Sequence, residues 1–134
     1  MNFDSVKIHT IHKAMGLTYA RFKVKKSREA AQAIDVKFLI DSGAVYSLVP
    51  ATDLARIGIA PHRTLTFVLA DGTELQRQVG DAYFERNGQG GAAPVIFGEP
   101  GDEPLLGATT LESLALILDP FKRELRPMSR LPLM

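Results

Sequence analysis

The stretch Phe38-Leu39-Ile40-Asp41-Ser42-Gly43-Ala44 decides the fold that this sequence predicts. It completes an alternation of apolar and polar residues that starts at Ile34, which is the pattern of a half-buried β-strand. The strand runs directly into Asp41, and a carboxylate at the end of an apolar strand is well placed for proton transfer. Asp, Ser and Gly are also the commonest turn residues, so the tripeptide alone is a weak signal. Its meaning depends on the segments around it.

Further segments with the two-residue period of β-strands flank this stretch. Residues 65–69 and 75–79 stand on either side of Ala70-Asp71-Gly72-Thr73, and Asp-Gly between alternating segments is the strongest short-range signal of a β-hairpin. A second pair of strands is expected at residues 82–85 and 94–97, joined by a loop over residues 86–91. The remaining strands are expected at residues 20–25, 115–118 and 124–128.

Two short helices are expected between the strands. Pro50 opens the first, over residues 51–57, and Gly58 is placed to end it. Thr109 and Glu112 have the spacing of a capping box, which predicts the second helix over residues 110–114. Many short strands, regular turn signals and one or two short helices together predict a mainly β, barrel-like domain.

Length and composition indicate one folded domain. The 134 residues are 46% apolar and 23% charged, with a net charge of +1, which is typical of a globular chain and not of a disordered one. We expect a single domain over residues 15–134, preceded by an extension, residues 1–14, that is an extra strand or loosely ordered. No apolar run reaches 18 residues, and the first 13 residues lack the apolar segment of a signal peptide. We therefore expect a cytoplasmic protein with no membrane partner.

Composition also argues against several classes of functional site. The absence of cysteine excludes disulfides, thiolate zinc sites and cysteine nucleophiles. Residues 38–119 carry four basic and eleven acidic side chains, a net charge of −7, which argues against a nucleic-acid groove on the central segments. His9 and His12 are three residues apart, but neither they nor His62 have the cysteines or acidic cluster that would complete a metal site. No metal and no nucleic-acid partner are expected.

Two loops have a partial likeness to known binding motifs. Gly88-Gln89-Gly90-Gly91 lacks the Lys-Ser/Thr that follows a phosphate-binding loop, and we expect a flexible hairpin loop there. Glu99, Asp102 and Glu103 do not have the spacing of a calcium loop, so we expect this segment to be solvated.

Taken in order along the chain, the motifs resemble those of the retropepsin-like aspartic proteases, the retroviral proteases and their single-domain cellular and prokaryotic relatives. Members of that family have an apolar strand leading into Asp-Thr/Ser-Gly-Ala, a flap hairpin, an apolar-apolar-Gly segment and a short helix near the C-terminus. The matching segments here are residues 38–44, 65–79, 105–107 and 110–114, within a resemblance that covers roughly residues 17–128. The resemblance implies a closed or partly open β-barrel with a flap, in the cellular and prokaryotic branch of the family.

The resemblance implies a homodimeric endopeptidase with one catalytic aspartate, Asp41, from each subunit. Ser42 matches the residue whose hydroxyl bonds across the dimer axis, and Gly43, followed by Ala44, matches the glycine that lets the substrate approach the carboxylates. Two such carboxylates share one proton and activate a water molecule that attacks the peptide carbonyl. The implied substrate is a peptide or protein, and the mechanism requires no metal or cofactor.

Two further segments acquire roles through the same resemblance. Ala70, Asp71, Gly72 and Thr73 match the flap tip, which in the family closes over a bound peptide. Leu106 and Gly107 match the apolar-Gly segment, whose glycine packs beneath the active-site loop and has a structural role.

The sequence departs from the retroviral pattern at the residues that follow Ala44. Retroviral relatives have two acidic residues there, which bind the substrate backbone, whereas this chain has Val45 and Tyr46. The flap tip has one glycine, Gly72, where retroviral flaps have several. Two alternatives remain open at this point: a catalytically silent dimerisation or peptide-binding module on the same barrel, and an unrelated small barrel in which Asp41 is only a turn residue.

Overall fold

The computed structural model describes residues 17–131 and 133 of the chain. The predicted extension over residues 1–14, with His9 and His12, lies outside these residues. Within the described part, no helix is long and apolar enough to cross a membrane.

Half of the described chain forms β-strands, and two helices have six residues each. The strands are β1 Tyr19–Lys25, β2 Ala33–Ile40, β3 Ser47–Pro50, β4 Arg63–Val68, β5 Glu74–Arg86, β6 Gln89–Gly98, β7 Leu105–Leu106, β8 Leu116–Asp119 and β9 Glu124–Pro127. The helices are α1, Ala51–Arg56, and α2, Ala108–Ser113.

Seven strands form one sheet, which closes into a barrel. Their order is β1-β2-β7-β3-β6-β5-β4, and a further pairing of β1 with β5 joins the two sides. Strand β4 lies outside this ring, because it pairs with the first half of β5 and forms a hairpin that projects from the barrel. Strands β8 and β9 form a separate two-stranded sheet. The predicted barrel-like, mainly β architecture is confirmed.

One apolar cluster fills the barrel. Phe22, Phe38 and Phe84 are each no more than 1% exposed and lie on β1, β2 and β5, three strands that are neighbours in the closed ring. The ring centroids of Phe22 and Phe38 are 5.9 Å apart, and those of Phe38 and Phe84 are 6.1 Å apart. The inward face of β2 thus fixes in the core the strand that leads into Asp41.

The second predicted hairpin has a shorter turn than the expected loop over residues 86–91. Arg86 pairs with Gln89, so the turn consists of Asn87 and Gly88 alone, with φ angles of 52° and 78°. Positive φ at both central residues is what a type I′ turn requires, and Asn-Gly is its favoured sequence. The expectation of a flexible loop over Gly88–Gly91 is therefore wrong, because Gln89–Gly98 is a strand. The Asn-Gly dipeptide was the signal that should have located the turn.

The helices also differ in detail from the sequence expectations. Helix α1 begins at Ala51 as predicted, and Gly58 follows its end with φ 81°. Helix α2 begins at Ala108, two residues earlier than predicted, and its N-cap is Gly107 with no side-chain cap. The predicted capping box is therefore wrong, because Thr109 already lies inside the helix.

Candidate active site

Asp41 is buried although it follows the end of a strand. Its exposed fraction is 6%, and its backbone N–H donates to the carbonyl of Leu106 at 2.9 Å. This bond continues the parallel pairing of β2 with β7, in which Ile40 lies beside Leu106. Carboxylate oxygen Oδ1 accepts the N–H of Gly43 at 3.0 Å, which orients the side chain. A buried, oriented carboxylate is suited to proton transfer and is unusual for a simple surface turn.

The loop that carries Asp41 is joined to the start of α2 by backbone hydrogen bonds. The N–H of Ala108 donates to the carbonyl of Ala44 at 2.7 Å, and the N–H of Thr109 donates to that of Val45 at 3.0 Å. These donors belong to the first turn of the helix, where N–H groups have no partner within the helix itself. The loop carbonyls therefore satisfy the helix terminus, and the helix in turn holds the loop.

Gly107 allows the loop and the helix to approach this closely. A Cβ atom at this position would lie 2.6 Å from the carbonyl oxygen of Tyr46 and 2.9 Å from that of Ala44. Both are backbone atoms, which cannot rotate away as the end of a side chain could. Only glycine fits between β7 and the Asp41 loop in this arrangement.

A buried pair of hydroxyl groups supports the same junction. Ser47 and Thr110 are both 0% exposed, and their side-chain oxygens lie 2.6 Å apart. The Ser47 hydroxyl oxygen also accepts the N–H of Gly107 at 3.0 Å. Sequence reasoning did not select these two residues, since a serine at the start of a strand and a threonine in a helix carry no distinctive signal.

A cleft of about 510 Å³ lies between the Asp41 loop and the β4–β5 hairpin. Asp41 borders it, together with Gly43 and Ala44. Apolar side chains form most of its lining: Val45, Tyr46, Leu48, Phe67, Val68, Leu69, Leu75, Ile96 and Leu105. Its volume is within the range of about 300–1,000 Å³ that is typical of ligand sites.

The predicted flap tip lies at the end of this hairpin. The N–H of Gly72 donates to the carbonyl of Leu69 at 2.9 Å, and Asp71 accepts the N–H of Thr73 through Oδ1 at 3.0 Å. Gly72 has φ 87°, in the region that favours glycine. Ala70 borders the cleft, and all four residues from Ala70 to Thr73 are exposed.

An aromatic contact joins the hairpin to the Asp41 loop. The rings of Tyr46 and Phe67 meet edge to face, with centroids 6.3 Å apart and an interplanar angle of 79°. Such a pair contributes about 0.5–1.5 kcal/mol beyond the area it buries. Tyr46 therefore forms one wall of the cleft and packs against β4.

A charged pair forms another part of the wall. The side chains of Arg77 and Asp102 are 10% and 5% exposed, and their atoms Nε and Oδ2 lie 3.6 Å apart. Burial raises the pKa of Asp102 above its ordinary value, while the N–H of Glu99 and the Arg77 guanidinium act to lower it. The expectation that Asp102 belongs to a solvated loop is therefore wrong, although Glu99 is exposed.

The structure brings most of the predicted site residues together. Asp41, Gly43 and Ala44 border the cleft, and Leu106 and Gly107 lie behind their loop. Ser42 is exposed beside the buried aspartate. Among residues 17–131 and 133, no group of three or more metal-binding side chains is close enough to hold an ion.

Comparisons with known proteins find structural neighbours but no match of sequence. No protein-family model and no curated protein matches the chain. The solution structure of the simian foamy virus (mac) protease is 24% identical, with a TM-score of 0.46, over 69% of this chain and 92% of that chain. The EIAV protease complexed with the inhibitor HBY-793 is 13% identical, with a TM-score of 0.52, over 74% of this chain and 88% of that one.

At this level of identity the likeness concerns the fold alone. The chain has a retropepsin-like, aspartic protease-like β fold, as the order of its motifs predicted. Its placement in the cellular and prokaryotic branch of the family stays a prediction.

Proposed function

We propose that this protein is an aspartic endopeptidase that acts as a homodimer. The observation that carries the proposal is the buried, oriented carboxylate of Asp41 at the edge of a largely apolar cleft beneath a β-hairpin. The retropepsin-like fold supports the same conclusion. In this proposal the cleft accepts an extended segment of a peptide or protein substrate, and the hairpin covers it.

The proposed site needs a second copy of the chain. The mechanism uses two carboxylates, and the sequence contains one Asp-Ser-Gly. Ser42 and Gly43 are exposed directly beside the buried Asp41, so a partner could cover them without displacing the barrel core. A two-fold axis at this point would bring Ser42 close to the same residue of the partner, in an interface that is the same on both sides.

The two Asp41 carboxylates of the dimer would share one proton, because two negative charges a few ångströms apart repel each other strongly. The ionised carboxylate accepts a proton from a water molecule that lies between them. The resulting hydroxide attacks the peptide carbonyl carbon, while the protonated carboxyl donates a hydrogen bond to the developing oxyanion. A proton then passes to the leaving amine as the C–N bond breaks, and the pair returns to its starting state.

Cleavage of a mixed peptide library between about pH 4 and pH 7 tests the proposal. The Asp41→Asn variant should bind peptides but not cleave them, because an amide cannot accept the proton of water. Asp81→Asn is a matched control, because Asp81 is an exposed aspartate on β5 that pairs with His62 at 3.2 Å. Equal cleavage by the parent and Asp41→Asn would refute the proposal. Peptide binding by the parent without cleavage at any pH would favour the binding module instead.

A further inference from the structure

The β4–β5 hairpin leaves the barrel at a defined point on β5. The pairing of β5 with β6 runs from Arg86 to Val79, which lies opposite Ile96, and it stops there. Two residues further along the same register, Arg77 would face Gly98, the last residue of β6. From Arg77 onward the hairpin is therefore held by β4 and by side-chain contacts, not by the barrel ladder.

At this point the side chain of Arg77 reaches the turn that follows β6. Its Nη1 atom lies 3.5 Å from Glu99 Oε2, and its Nε atom lies 3.6 Å from Asp102 Oδ2. The turn is closed by two reciprocal bonds: Glu99 N–H donates to Asp102 Oδ2 at 2.9 Å, and Asp102 N–H donates to the Glu99 carbonyl at 3.0 Å. A single guanidinium group thus contacts both ends of one closed turn.

A contribution to folding stability does not by itself explain why Arg77 is paired with two carboxylates. A buried ion pair often contributes no more to folding than apolar side chains of the same volume, because both charges lose their hydration. The geometry of such an ion pair is nevertheless directional, because a planar guanidinium can hold two carboxylates at fixed positions. Arg77 and Asp102 also border the cleft beside Asp41.

We propose that Arg77 is a positioning residue for peptide binding, which ties the hairpin to the 99–102 turn and so sets the shape of the cleft. This role deepens the proposed peptidase function and rests on it. The loop that carries Asp41 is held by β7 and α2, through backbone hydrogen bonds to Leu106 and Ala108. Loss of the tie should therefore weaken substrate binding and leave the chemical step nearly unchanged.

The test compares Arg77→Met, which keeps the length of the side chain without its charge, with Arg77→Lys and with Arg63→Met. Lysine offers one compact charge and cannot hold both carboxylates as a planar fork does, so it should rescue only in part. Arg63 is an exposed arginine on β4, the outer strand of the same hairpin, and it does not border the cleft. Chemical denaturation at one protein concentration establishes that each variant is folded.

Two measurements are made on each folded variant. Amide hydrogen exchange over residues 64–76 reports local opening of the hairpin and needs no catalysis. Steady-state cleavage of one peptide, taken from those the parent cleaves, separates KM from kcat. For Arg77→Met we expect faster exchange and a KM roughly tenfold higher, which corresponds to about 1.4 kcal/mol, with kcat within about twofold of the parent.

Unchanged hydrogen exchange in Arg77→Met would overturn the proposal whether or not the protein is a peptidase. Faster exchange with unchanged KM would also overturn it, since the tie would then have no effect on the cleft. An equal rise of KM in Arg63→Met would point to a general effect of charge and would count against Arg77. If the parent cleaves no peptide, the proposed function is refuted. Hydrogen exchange alone would then decide whether Arg77 holds the hairpin to the 99–102 turn.

Discussion

Replacement of Gly107 by alanine tests whether the close contact between β7 and the Asp41 loop is required. The new Cβ would lie 2.6 Å from the Tyr46 carbonyl oxygen and 2.9 Å from that of Ala44, whereas ordinary contact begins at 3.4 Å. The loop would therefore have to move by about 0.8 Å to restore normal contact. Gly107 itself has φ −94° and ψ 178°, which any residue adopts, so the effect would be one of crowding and not of backbone conformation.

The expected magnitude follows from two costs. Crowding of a well-packed site costs about 1–3 kcal/mol. The displaced loop would also lengthen the 2.7 Å bond from the Ala108 N–H to the Ala44 carbonyl, which adds about 1 kcal/mol. We therefore expect the free energy of unfolding to fall by about 2–4 kcal/mol. Because Asp41 belongs to the displaced loop, we also expect kcat of the folded variant to fall by up to about 100-fold.

Urea denaturation at fixed protein concentration, together with peptide cleavage, measures both effects. Gly88→Ala is the matched control, since a Cβ at Gly88 meets no atom within 4 Å but the residue has φ 78°. The control should lose about 1–2 kcal/mol through its backbone conformation and keep the kcat of the parent. The reasoning about Gly107 fails if Gly107→Ala unfolds within about 0.5 kcal/mol of the parent with unchanged kcat.

Three further measurements test other parts of the structure. Ser47→Ala would leave the buried Gly107 N–H and Thr110 hydroxyl without their shared partner, and denaturation should report a loss of about 1–3 kcal/mol. Burial first, and then the charge and hydrogen bond of Glu103, raise the pKa of Tyr19. In an ultraviolet titration, Glu103→Gln should lower that pKa part of the way toward its ordinary value. An unchanged Tyr19 pKa in this variant would exclude the 3.1 Å contact in solution. The raised pKa means that Tyr19 contributes stability below about pH 10, which is lost as the pH rises through its folded-state pKa. If the proposed site is dimeric, specific peptidase activity should fall on dilution below the dimer dissociation constant. Activity proportional to concentration for a sedimenting monomer would contradict the proposed dimer.

Much of the fold could be predicted because its signals are local. The alternation before Asp41, the Asp-Gly turn and the Leu-Leu-Gly segment each depend on neighbouring residues, and all lie where the sequence indicated. The start of α2 and the strand β3 were missed because both depend on contacts between segments distant in sequence. The Thr109 and Glu112 spacing indicated a capping box, but α2 begins earlier because the N–H groups of its first turn bond to the Asp41 loop. Ser47–Pro50 was not predicted as a strand, since its pairing with β6 and β7 is formed entirely by residues distant in sequence.

The same distinction between local and long-range information applies to the candidate site. The sequence by itself identified Asp41 as the candidate catalytic residue, because it is marked by the apolar strand before it and by the Ser-Gly after it. Only the tertiary structure decided what surrounds that residue. The Ser47–Thr110 pair spans 63 positions. The Tyr46–Phe67 and Arg77–Asp102 contacts join the β4–β5 hairpin to the Asp41 loop and to the turn after β6, which are distant from it in sequence. Neighbouring residues specify turns and strand periodicity, whereas burial and pairing depend on which distant strands meet, and a local pattern does not contain that information.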